Sequence, residues 1–156
     1  MVAALKSEFL CSMAASLDAS LPVGAGPIGN RMVAYVASGT VEGDKLKGEI
    51  LPGGGDWALV RQDGCLVIDV RICIKTHDGA IIYVTYGGRM DIPADLQPKV
   101  FNPQTAESVD PADYYFRTCP LFETGDERYA WLNRIQAVGV GRLTSTGVSY
   151  DVHQIL

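Results

Sequence analysis

From Cys65 to Ile74 the chain alternates without a break. Leu66, Ile68, Val70, Ile72 and Ile74 fall on one wholly apolar face, while Cys65, Val67, Asp69, Arg71 and Cys73 fall on the other. A period of two is the signature of a β-strand, whose successive side chains point to opposite sides of the sheet. Five consecutive apolar positions on one side must be buried. The face carrying Asp69 and Arg71 is left two options: solvent, or the lumen of a closed barrel.

The rest of the chain supports a β reading. Lys75-Thr-His-Asp-Gly79 is a turn built on Asp78-Gly79, and Ile81–Tyr86 is the returning strand. Further strands are expected near 32–41, 46–51, 57–61, 114–118, 135–143 and 148–155, punctuated by Glu42-Gly-Asp44, Pro52-Gly-Gly-Gly55, Asp63-Gly64 and Thr146-Gly147. Short strands with a turn signal every ten residues or so predict an antiparallel barrel or sandwich. The N-terminal segment fits two patterns. Its alternation over Leu5–Leu17 suits a strand, but Leu5, Phe9, Leu10, Met13 and Leu17 also mark a helical face.

At 156 residues the chain suits one domain, spanning 1–156, large enough to bury a core without a disulfide or metal staple. Between Arg89 and Pro111 the strand pattern stops. Pro93, Pro98, Pro103 and Pro111 break an irregular stretch with room for one short helix. Residues 89–128 hold eight acids and four bases, a balance of −4, against −5 for the whole chain. The 89–113 segment is therefore expected to be an acidic, proline-interrupted loop, either a lid or a passive surface.

Several function classes are disfavoured. An acidic chain without a basic run lacks the electrostatic footprint of a nucleic-acid binder. The uncharged stretch Phe9–Leu17 is too short to span a bilayer, and Lys6 and Glu8 interrupt what a signal peptide would keep apolar, so a cytoplasmic protein without a membrane partner is expected. Cys11, Cys65, Cys73 and Cys119 form no C-x-x-C pair and are expected as free thiols. With only His77 and His153, neither a multi-histidine metal site nor a Ser-His-Asp triad is expected. Gly24-Ala-Gly26-Pro-Ile-Gly29 matches the dinucleotide G-x-G-x-x-G, but Pro27 interrupts it and Arg31–Val36 looks extended rather than helical. No metal and no cofactor is expected.

The remaining chemistry is carboxylate, guanidinium and phenol. If the polar face of the 65–74 strand lines a lumen, Asp69 and Arg71 share it with other candidates. Asp69 or Asp56 would then be the acid/base, with Tyr83 in the catalytic set. Arg71 and Arg117 would bind an oxyanion or carboxylate, while Trp57, Tyr115 and Trp131 would shape the substrate pocket. Two other readings compete: a lipocalin-like carrier using the same lumen without catalysis, and a structural one in which Asp69–Arg71 and Asp113–Arg117 are ion pairs that set strand register. A homodimer is expected, because barrels of this size often pair through an outer face, and it would be the simplest way to bury the apolar 66–74 face should that face point outward.

A family resemblance runs along nearly the whole chain. It is carried by Leu46-Lys-Gly-Glu-Ile-Leu-Pro-Gly-Gly-Gly-Asp-Trp57, Arg61-Gln-Asp-Gly64, Asp78-Gly-Ala-Ile-Ile-Tyr83, Asp113-Tyr-Tyr-Phe-Arg-Thr118, Phe122-Glu-Thr-Gly-Asp126 and Tyr129-Ala-Trp-Leu-Asn133. Together these resemble domain-of-unknown-function family 3237, in the family's order. The resemblance implies a single antiparallel, calycin-like β-barrel of about 8–10 strands, with the N-terminal segment as a strand. It also implies a small-molecule pocket, in some members tied to cyclisation or isomerisation. It brings no agreed catalytic set. The stretch from Asp91 to Asp110 departs from the family pattern in being longer and richer in proline. The expected function is a cofactor-independent isomerase, cyclase, hydratase or lyase acting on a small organic molecule.

Overall fold

The structure, a computed structural model, describes residues 2–156. Eleven strands form one antiparallel sheet: β1 (Ser7–Leu17), β2 (Leu21–Gly26), β3 (Gly29–Glu42), β4 (Gly48–Ile50), β5 (Gly55–Asp56), β6 (Leu59–Val60), β7 (Leu66–Thr76), β8 (Ile81–Asp91), β9 (Tyr115–Glu123), β10 (Ala137–Leu143) and β11 (Gly147–Ile155). The sheet closes on itself because β1 pairs with both β11 and β3. Strands β4, β5 and β6 all lie between β3 and β7 and together act as one interrupted barrel strand. Eight strand positions therefore surround the barrel, and β2 extends β3 outside the ring as a hairpin.

The N-terminal segment is a strand, not a helix, because it has a partner on each side: Met13 lies opposite Tyr150 on β11 and opposite Val41 on β3. The glycine motif forms the β2–β3 turn, and its last glycine opens a strand rather than a helix. At the β7–β8 hairpin, Gly79 takes φ 93°. The buried Thr76 hydroxyl donates to Asp78 Oδ1 at 2.6 Å and accepts from the Ala80 N–H at 2.8 Å. That left-handed position explains the Asp-Gly pair.

The apolar face of β7 looks inward. Ile68, Val70, Ile72 and Ile74 are buried and meet Ile82, Val84, Tyr86 and Met90 of β8, Phe116 and Phe122 of β9, and Tyr150 and Val152 of β11. The interior is thus filled with side chains, as expected for a small barrel. Glycines on β10 make room: a Cβ on Gly141 would lie 2.7 Å from the Phe116 ring. Because the 66–74 face is covered from within, it no longer calls for a dimer.

Both barrel ends are covered. One is closed by the 3-10 turns of Glu127–Arg134, which bury Tyr129 and Leu132. The other is covered by residues 92–114, which contain a short helix α1 (Gln97–Val100) and two 3-10 turns, Ala106–Ser108 and Pro111–Asp113. This segment begins later than the sequence suggests, since β8 continues to Asp91. Nor is it a bare acidic loop: Ile92, Val100, Ala106, Val109 and Tyr114 are buried. It is pinned to the β10–β11 hairpin by Glu107, which accepts from the backbone and hydroxyl of Ser145 at 2.9 Å each, and by the Leu143 N–H to Tyr114 hydroxyl bond. All four cysteines are free thiols, and burial pushes the Cys11 thiol up to about 12. No helix among the described residues is long and apolar enough to cross a membrane, and no cluster of potential metal ligands occurs among them.

Candidate functional site

Strand pairing determines which candidates reach the interior. Asp56 lies directly opposite Val70 and Ala34, and Val70 lies opposite Tyr86. Residues directly opposite one another share a sheet face, so Asp56 shares the inward face with Val70 and Tyr86. Asp69 and Arg71, one position off, face outward. Their side chains are about half exposed and form a solvated ion pair at 3.3 Å, an arrangement that contributes little. The two faces left open by the sequence are thus assigned: apolar within, Asp69 and Arg71 without. Their expected place in the lumen is corrected by β7 register, since a one-residue change of register would be needed to bring them inside.

The other candidates divide among three places. Trp57, Arg71 and Tyr83 line a shallow outer pocket of about 340 Å³ with Gly53, Gly54 and Cys73. There the Arg71 guanidinium sits 5.6 Å from the Trp57 ring centre. Tyr115 and Arg117 line another outer cleft, of about 400 Å³, beside Asp91 and Asp113. Arg117 lies 5.2 Å from the Tyr115 ring centre and donates to the Phe116 carbonyl at 2.9 Å, and no Asp113–Arg117 ion pair forms among the described residues. Trp131 belongs to the Glu127–Arg134 cover at the opposite barrel end from Asp56. Of the eight residues, the structure brings only Asp56 into the lumen.

Two groups not singled out in the sequence meet it there. Tyr86 and Tyr150, 5% and 3% exposed, face each other edge to face with ring centres 5.4 Å apart. Phe116 packs on Tyr150 at 5.3 Å. Asp56, Tyr86 and Tyr150 line one internal cavity, walled otherwise by Ala15, Leu17, Val36, Val70 and Val148. Its volume of about 20 Å³ is room for about one water molecule. Tyr86 shares strand parity with Ile82 and Val84, and Tyr150 with Val148 and Val152. A phenol at a core parity is the signal that could have found them.

The three groups perturb one another. Burial pushes the Asp56 carboxyl up to about 6. A hydrogen bond from the Asp69 N–H at 3.0 Å works against this, and the Asp69 carboxylate adds to it. Burial raises both phenols above the ordinary tyrosine value, and the Asp56 charge reinforces the effect. The cavity therefore holds one carboxyl that changes protonation near neutrality beside two phenols that stay protonated. Such a set can move a proton at Asp56 while the phenols donate hydrogen bonds to an oxygen gaining negative charge.

Known proteins resemble this chain along its length. A family model described as "Protein of unknown function (DUF3237)" matches residues 5–155. A UPF0311 protein of Rhodopseudomonas palustris is 31% identical over 156 residues, covering all of both chains. A crystal structure of a conserved protein of unknown function from R. palustris superposes with TM-score 0.90, at 31% identity over 99% of this chain and 100% of that one. A beta-barrel like protein from Acinetobacter baumannii gives TM-score 0.84 at 31% identity, covering 100% and 99%. A structure described as an enzyme from Penicillium herquei gives TM-score 0.73 at 21% identity, covering 100% and 98%, a likeness of fold alone.

Proposed function

The chain belongs to the DUF3237 family of β-barrel proteins of unknown function, and from that premise we propose that it is a cofactor-independent acid/base enzyme for a small organic molecule, with the reaction at the inner end of the barrel. Asp56 is the general base, while Tyr86 and Tyr150 hold the developing oxyanion. The observation that carries this is a part-buried carboxyl, raised to about 6, in one cavity with two buried, protonated phenols. A group placed only for packing would gain nothing from such a value, whereas a base is most useful with a pKa near the working pH. Proton abstraction next to a carbonyl gives an isomerase when the proton returns to a different carbon and a lyase when the enolate expels a β-substituent that takes up the proton; removal of a hydroxyl proton, addition of that oxygen to an enone and return of the proton to the α-carbon gives a cyclase. The P. herquei protein, described as an enzyme, has the same fold, which is compatible with this class.

The experiment is proton NMR of enolisable cyclic ketones and hydroxyl-bearing enones incubated with the protein in D2O. Protein-dependent α-deuteration or ring closure is expected, rising through about pH 6 as Asp56 ionises and falling at least about 100-fold in Asp56→Asn. Turnover that survives Asp56→Asn overturns the assignment. Saturable binding without chemistry supports the second reading, a non-catalytic carrier, which is favoured by the otherwise apolar interior.

A further inference from the structure

A second concavity opens at the same barrel end. It is a groove of about 380 Å³ lined by Met32, Val60, Leu66, Ile92 and Phe101, with Gln97 at its exposed side. No charged side chain lines it. It lies between the barrel wall and the 92–114 cover, since Ile92, Gln97 and Phe101 come from the cover side, and Met32, Val60 and Leu66 from β3, β6 and β7.

Register ties this groove to Asp56. Val60 pairs with Leu66, and Asp56 pairs with Val70. Two neighbouring strands therefore each place one residue in the groove and another in the Asp56 cavity, four positions further along. On β3, Met32 and Val36 do the same. Four residues of strand span about 13 Å. Only one inward row separates the two spaces: Ala58, buried at 4%, and Ile68, at 2%. Ala58 leaves that row thin.

The row continues along the sheet from Ile68 through Gly88 to Thr118, its pairing partners in turn. Thr118 is 1% exposed, and its hydroxyl oxygen is the one buried side-chain polar atom without a hydrogen-bond partner among the described residues. Its hydroxyl faces Gly139 on β10 and its methyl faces Gly88, so the hydroxyl is turned away from Ile68 and the row presents only apolar atoms there.

We propose that the groove binds the body of a flat, uncharged, mainly apolar molecule whose oxygen-bearing end passes the Ala58–Ile68 row to reach Asp56, Tyr86 and Tyr150. This rests on the reading of Asp56 as the base and adds its substrate class: a ring system carrying one carbonyl or phenol oxygen, without a carboxylate or phosphate. A groove of this size accommodates a small-ligand body, and its uncharged lining would leave an ionic group desolvated and unpaired. Insertion requires Ile68 to change rotamer, since the space at Asp56 alone holds about one water.

The probe is 2-naphthol, with binding followed by its own fluorescence and by chemical-shift changes in the protein. Saturable binding is expected. Leu66→Glu, at the partly exposed groove wall, is expected to weaken it about tenfold or more. Thr118→Val, which keeps the shape and removes an unpaired hydroxyl turned toward β10, is expected to raise the melting temperature and leave binding unchanged. Arg71→Ala on the outer face is expected to change nothing. Absence of saturable binding, or binding weakened by Arg71→Ala but not by Leu66→Glu in a variant that still melts cooperatively, overturns the proposal. The two readings fail separately. If Asp56→Asn leaves turnover intact while Leu66→Glu still weakens 2-naphthol, the base assignment falls and the groove stands. If Asp56→Asn abolishes turnover while Leu66→Glu leaves binding unchanged, the groove falls and the base stands.

Discussion

Asp56 is placed against its own interest in stability. An unfolded Asp ionises near 3.8, while the folded carboxyl holds its proton to about 6. The folded state therefore binds more protons in that window, and stability contributed by the protonated form, complete below about pH 4, is lost as pH rises through 6. Two units correspond to about 3 kcal/mol. Asn at this position can still accept the Asp69 N–H without carrying charge. Asp56→Asn should therefore raise stability at pH 8 by about 1–3 kcal/mol and flatten its dependence between pH 4 and 7, as measured by urea unfolding across pH. An unchanged profile would show that the carboxylate is already solvated. A gain in stability with loss of turnover is the expected mark of a strained functional group.

At the scale of elements, much of β7 and β8 was legible, because a ten-residue alternation admits few alternatives. The orientation of the alternation was not. An apolar face can be the lining of a filled barrel or the outside of a hollow one, and only the register of β5 against β7 decides between them. Asp56 is hard to place for the same reason: it ends the two-residue strand Gly55–Asp56, directly after Pro52-Gly-Gly54, where no periodicity can develop. Tyr86 and Tyr150 were hidden by their neighbours, since a phenol in a β-branched run reads as ordinary core. The 92–114 cover was visible as a break in pattern, but its few apolar residues lie too far apart to show a period. Its attachment is thin at Glu107, whose carboxyl is held below the ordinary range by the Ser145 backbone and hydroxyl. Glu107→Ala should speed amide hydrogen exchange several-fold across 99–109 and leave β7 and β8 protected. Uniform acceleration throughout the barrel would mean that the cover is part of one cooperative unit with it.

For the whole molecule, strand spacing left a barrel and a sandwich both open, and the family resemblance pointed to the closed barrel that the structure has. The charge pattern is consistent with it: most of the acidic excess falls in residues 89–128, which include the cover, and the interior wall carries one carboxyl. Barrel closure joins residues far apart in sequence, for example Ser7 opposite Ile155. Pairing over such separations slows folding, since chain entropy is lost before the contact forms. Refolding after a jump from denaturant is expected in the millisecond-to-second range, measured by stopped-flow tryptophan fluorescence. A microsecond refolding phase carrying the full amplitude would contradict it.

The double pairing of β1 has a consequence for synthesis. During translation β1 can join β3 as soon as both have left the ribosome, but its other edge has to wait for β11, more than a hundred residues later. Until then the nascent sheet has an open flank of unpaired backbone groups, beside the half-exposed Phe9, that any extended segment could occupy. The step that completes the ring is also the step that removes this edge, so a lesion in β11 should show itself as loss of soluble protein before it shows as loss of activity.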